Sequence, residues 1–74
     1  MIIDALRKKY EAEIASAKAN INVYQTNPAG IGEHPDIVQA VDSEVVKLAN
    51  AEDKLSTLNK HYGNSEVYQR DLLI

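Results

Sequence analysis

The chain has 74 residues and a net charge of −3, with four Tyr as its only aromatics and no Cys. That length makes one small domain, and the missing thiols exclude disulfides and thiolate metal sites. A chain of this size buries only about 60% of its unfolded surface, which leaves a partner chain as the remaining source of buried area.

The first arm, residues 2–26, contains neither Pro nor Gly and is rich in Ala, so its helix propensity is high. Ile3, Leu6, Tyr10, Ile14, Ala17, Ile21 and Tyr24 recur at spacings of three and four, a single apolar stripe. A second, shallower face carries Ala5, Ala12, Ala15, Ala19 and Val23, small enough for another helix to approach closely. The turn, residues 27–35, holds both prolines and two of the three glycines. Pro28 biases Asn27 away from the α region and ends the first helix. Gly30 and Gly32 permit the reversal, and Ile31 between them is placed to plug the end of a helix pair. Pro35 suits the first turn of a new helix, with Glu33 and Asp36 near its positive end.

In the second arm, residues 36–62, Val41, Leu48, Leu55 and Tyr62 form an unbroken seven-residue repeat, flanked by Val38, Val45, Ala51 and Leu58. Gly63 is a natural stop, and Lys60 and His61 lie where positive charge is favourable. If the arms pack antiparallel about Ile31, facing residues have numbers summing to about 62. Tyr24 then meets Val38, Ala17 meets Val45, and Tyr10 meets Ala51. Lys8 and Lys9 fall opposite Asp53 and Glu52. The tail, residues 63–74, opens on a capping sequence and ends on apolar residues. It either closes the open end of its own hairpin or docks on another chain. The predicted fold is therefore all-α: an antiparallel two-helix hairpin with a short helical or irregular C-terminal tail, dimerising into a four-helix bundle.

Chemistry is sparse by comparison. Gly30-Ile31-Gly32 lacks the strand and third glycine of a phosphate loop. Glu33, His34 and Asp36 form a short polar cluster at the turn, for which capping and dipole matching is the simpler reading than metal ligation. None of Ser16, Ser43, Ser56 and Ser65 sits in a nucleophile context. No catalytic residue, metal or cofactor is expected, and the chain reads as a non-enzymatic interaction protein. Its expected contacts are Tyr10, Ile31, Tyr62, Tyr68, Leu72, Leu73 and Ile74, toward itself and a further protein partner. Arg7, Lys8 and Lys9 form the one basic cluster and carry an alternative role as an accessory of nucleic-acid metabolism. Residues 33–53, with six acids against one Lys, carry another alternative, an acidic mimic of nucleic acid. No apolar run reaches the roughly 18 residues of a membrane span, and Met1-Ile2-Ile3-Asp4 is charged too early for a signal peptide. A soluble cytoplasmic location is expected.

The segment Asn27-Pro28-Ala29-Gly30-Ile31-Gly32-Glu33-His34-Pro35-Asp36-Ile37 continues through Ala40-Val41-Asp42, Lys47-Leu48-Ala49 and Ala51-Glu52-Asp53-Lys54-Leu55. It resembles small proteins of contractile-tailed phages, especially those infecting marine bacteria. The resemblance covers about half the chain, the turn and second arm, and extends to the first arm only in length and pattern. It implies a phage product acting in the infected bacterial cytoplasm or in particle assembly, and it transfers no functional residue.

Overall fold

The computed structural model describes residues 1–26 and 36–63, which form two α-helices: α1, Ile2–Thr26, and α2, Ile37–Tyr62. At about 1.5 Å per residue each is about 38 Å long, and they pack against each other antiparallel. The direction follows from Arg7, near the start of α1, which reaches the Tyr62 carbonyl at the end of α2. Asp36 caps α2 by accepting the Gln39 backbone N–H on its carboxylate at 2.9 Å, satisfying one orphan donor of the first turn. The expected turn at 27–35 with its Ile31 plug, and the tail from residue 64, lie outside the described residues.

On α1 the residues turned away from solvent are Ile3, Leu6, Arg7, Tyr10, Ile14, Ala17, Ile21 and Tyr24. On α2 they are Ile37, Ala40, Val41, Glu44, Leu48, Ala51, Leu55 and Leu58. Each set is a row stepping by alternating threes and fours, with one flanking residue added. This is the narrow seam of a two-stranded coiled coil rather than the wide stripe of a bundle helix. Ala17 and Ala51 are the most deeply covered, at 2% exposed each, and mark where the helices run closest. Elsewhere on the two helices the surface is polar or alanine apart from Ile2, Val23, Val38, the adjacent Val45 and Val46, and Tyr62. Among the described residues no helix is long and apolar enough to cross a membrane.

Two expectations about pairing need correction. Val38 and Val45, expected to lie in the seam against Tyr24 and Ala17, are exposed, Val38 to 81%. The seam instead takes Ile37 and Glu44, because those positions keep the three-and-four step with Val41 and Leu48. The helices are also offset by most of a turn from the expected alignment. Arg7 bonds Asn59, Lys54 lies over the Tyr10 ring, and Ala17 and Ala51 border one groove. These neighbours have numbers summing to about 64–68, where about 62 was expected. The expected alignment rested partly on pairing Lys8 and Lys9 with Asp53 and Glu52. All four are exposed, and among the described residues no ion pair joins them.

Candidate functional site

Three local constructions stand out on this scaffold. The first is a clasp at the open end. Arg7 occupies a seam position, four residues after Ile3 and three before Tyr10, and its side chain is only 16% exposed. Its guanidinium donates three hydrogen bonds of 3.0 Å: Nη1 to the Asp4 carboxylate, Nε to Asn59 Oδ1, and Nη2 to the Tyr62 carbonyl. The last partner is one of the carbonyls a helix leaves unpaired at its C-terminus, so a cation sits at the negative end of the α2 dipole. Gly63 follows directly. Its φ of −36° is not left-handed, and what favours glycine is space: a Cβ there would lie 3.0 Å from the Asn59 carbonyl oxygen.

The second is an open groove along one side of the seam, floored by Ala17 and Ala51. Glu13 and Asn20 from α1 and Glu44, Lys47 and Lys54 from α2 stand around it. Glu44, only 12% exposed, is a carboxylate in a seam position, and Lys47 Nζ lies 3.3 Å from its Oε1. Lys54 covers the Tyr10 ring, its Nζ 5.6 Å from the centroid, so the tyrosine face is in use within the hairpin. With two carboxylates and two ammonium groups, the groove presents no net charge to a ligand.

The third is the pair of outward surfaces. The outer side of α1 bears Lys8 and Lys9 among Ala12, Ala15 and Ala19, with the carboxylates Asp4 and Glu11 exposed beside Lys8. The outer side of α2 bears the exposed Val45 and Val46, with Val38 a turn or two before them and Asp42, Glu52 and Asp53 around them. Between residues 36 and 53 the sole cation is Lys47, which is on the groove side and paired.

Of the contact residues expected from sequence, Tyr10 lies in the seam and Tyr62 at the open end, exposed, with the His61 ring edge-on at 6.5 Å. Ile31, Tyr68, Leu72, Leu73 and Ile74 lie outside the described residues, as do Glu33 and His34. Asp36 has a structural task as the α2 cap. Among the described residues no three His, Asp or Glu side chains converge as a metal site would require. The basic cluster is divided by the fold: Arg7 turns inward and is committed to the clasp, while Lys8 and Lys9 face solvent. Sequence reasoning missed Asn59 and Glu44. Glu44 was detectable, standing three residues after Val41 and four before Leu48; Asn59 gave no signal without the helix offset.

No known protein family, curated protein or solved structure matches the chain.

Proposed function

We propose that this is a non-enzymatic helical interaction protein whose first partner is another copy of itself, two hairpins pairing into a four-helix assembly. The observation that carries the reading is how little the hairpin buries alone. Among the described residues only Ala17, Ala51 and Leu58 are buried, no large side chain is fully covered, and Val23, Val38, Val45 and Val46 are exposed. A burial of about 1.5–3 kcal/mol for each fully covered aliphatic side chain is the usual source of stability, and this seam uses it sparingly. Association supplies the missing burial and couples folding to assembly. The resemblance of the turn and α2 to small proteins of contractile-tailed phages suggests that such assembly serves an infected bacterial cytoplasm or the particle. The apolar tail would add contacts to the same partner or to a second one.

Native mass spectrometry at low micromolar concentration tests the reading. Masses at whole multiples of the 8.2 kDa chain, with a melting temperature that rises with concentration, are the expected result. A folded 8.2 kDa species with a concentration-independent melt would refute self-association.

A further inference from the structure

We infer that the first half of α2 has two packings against α1, related by a turn of that half-helix about its own axis. A two-stranded seam needs two rows of residues on each helix, and α2 offers a choice for one of them. Val41, Leu48 and Leu55 are common to both packings. Beside them run two candidate rows, one residue apart: Ile37, Glu44, Ala51 and Leu58, or Val38, Val45, Glu52 and Asn59. Either completes the alternating step of three and four. The structure follows the first row throughout. In the second half of α2 that row supplies Ala51 and Leu58, both buried, where the other would supply Glu52 and Asn59. In the first half it covers the Glu44 carboxylate, while Val38 and Val45, the next residues along, stand exposed. The two halves of one helix therefore favour different rows.

The second packing keeps Ala51 and Leu58 and takes Val38 and Val45 before them. Its steps run through residues 38, 41, 45, 48, 51, 55 and 58, with two threes in succession. Such a stammer overwinds the helix locally. The turn required is half the roughly 100° between successive residues, about 50°, or about 25° for each of the two heptads between Ile37 and Ala51. A coiled-coil seam already absorbs about 20° per heptad, so the added strain is of the same order. Against it stand the burial of two valines and the return of a carboxylate to water. The second half does not follow, because Arg7 holds both Asn59 and the Tyr62 carbonyl. Glu44 borders the groove and Val45 does not, so the turn carries Glu44 outward beside Lys47 and widens the groove where Asn20 faces it. It also withdraws Val38 and Val45 from the surface. That consequence, a control on assembly, rests on the self-association proposed above.

Pulsed EPR distances test the two packings, and a chain without Cys accepts spin-label pairs at chosen sites. Asn20→Cys with Ser43→Cys spans the turning half, and Lys9→Cys with Thr57→Cys spans the clasped half, all four at exposed positions. Labelled chains are diluted in unlabelled protein, so only distances within one molecule are read. The first pair is expected to give two distances differing by about 5 Å, a 50° arc at the roughly 5–6 Å radius of a helix with its side chains, and the second pair one. Glu44→Leu suits the continuous seam and is expected to leave only the shorter distance. Ile37→Glu places a second carboxylate in that seam and is expected to raise the share of the longer one. Circular dichroism confirms that both variants remain helical. A single distance from the first pair in the wild-type chain would overturn the proposal. So would two distances from both pairs, or two that neither substitution redistributes. A chain that stays monomeric in native mass spectrometry would remove the control on assembly and leave the two packings standing.

Discussion

The two ends of the hairpin each place one charged residue in an otherwise apolar seam, and they treat it differently. At the open end Arg7 uses three donors on three acceptors, two of which belong to α2, so its charge ties the helices together. Toward the connected end Glu44 is equally covered, yet its ion-pair partner is Lys47 of the same helix, itself 66% exposed. That pair spans no interface. The difference separates a polar group that specifies the register from one that is merely tolerated there. A seam arginine that also meets the last carbonyl of the opposite helix fits only one offset. A seam glutamate satisfied locally fits any offset of whole repeats.

Burial follows the same division, and the largest expected effect exploits it. Leu58, beside the clasp, is buried, whereas Val41, near the connected end, is only half-covered. Leu58→Ala is expected to cost about 2–4 kcal/mol, enough to unfold much of a marginal hairpin, while Val41→Ala costs about 1 kcal/mol. Urea melts followed by far-UV circular dichroism measure both. Equal losses at the two positions would mean that the ends are held alike.

Substitution of the two charged seam residues probes the contrast directly. Arg7→Ala removes packing and leaves the Tyr62 carbonyl without its guanidinium partner, and is expected to lose about 1–3 kcal/mol. Glu44→Leu has the opposite sign. It replaces a largely covered carboxylate with a side chain that suits the seam and is expected to gain up to about 1 kcal/mol, discounted because Lys47 lies at the surface. The same melts read these variants. A loss on Glu44→Leu would show that the Glu44–Lys47 pair, or an effect of the groove, matters to the fold.

The helices and their limits were legible in sequence because the signals are local: an uninterrupted Ala-rich run, a seven-residue repeat, and a glycine at residue 63. Antiparallel packing was legible too. The offset was not, for a definite reason. Scoring by apolar matches admits Val38 and Val45 to the seam and sets aside Arg7 and Glu44, whereas the fold does the reverse. A long side chain can line a seam with its methylenes and still place its charge on a partner, so polarity alone misassigns it. The expected pairing of Lys8 and Lys9 with Asp53 and Glu52 reinforced the wrong alignment, yet all four residues face solvent and fix no offset. Among the described residues no ion pair joins Lys8 or Lys9 to Asp53 or Glu52.

The smallest expected effect tests whether the open end behaves as one unit. Gly63→Ala would bring a methyl to 3.0 Å from the Asn59 carbonyl oxygen, a contact relieved only if that turn shifts by a few tenths of an ångström. Against this strain, alanine restricts the unfolded chain and returns about 0.4–1 kcal/mol. The net should be a loss of a few tenths of a kcal/mol, because the turn that must yield is anchored by Arg7 at both Asn59 and Tyr62. In an Arg7→Ala background that anchor is gone, the turn can relax, and the same glycine substitution should become neutral or stabilising. A double-mutant cycle would then return a coupling on the order of 0.5 kcal/mol. Additive effects would mean that α2's last turn is held by its own backbone, and that the clasp fixes the register without stiffening the end it grips.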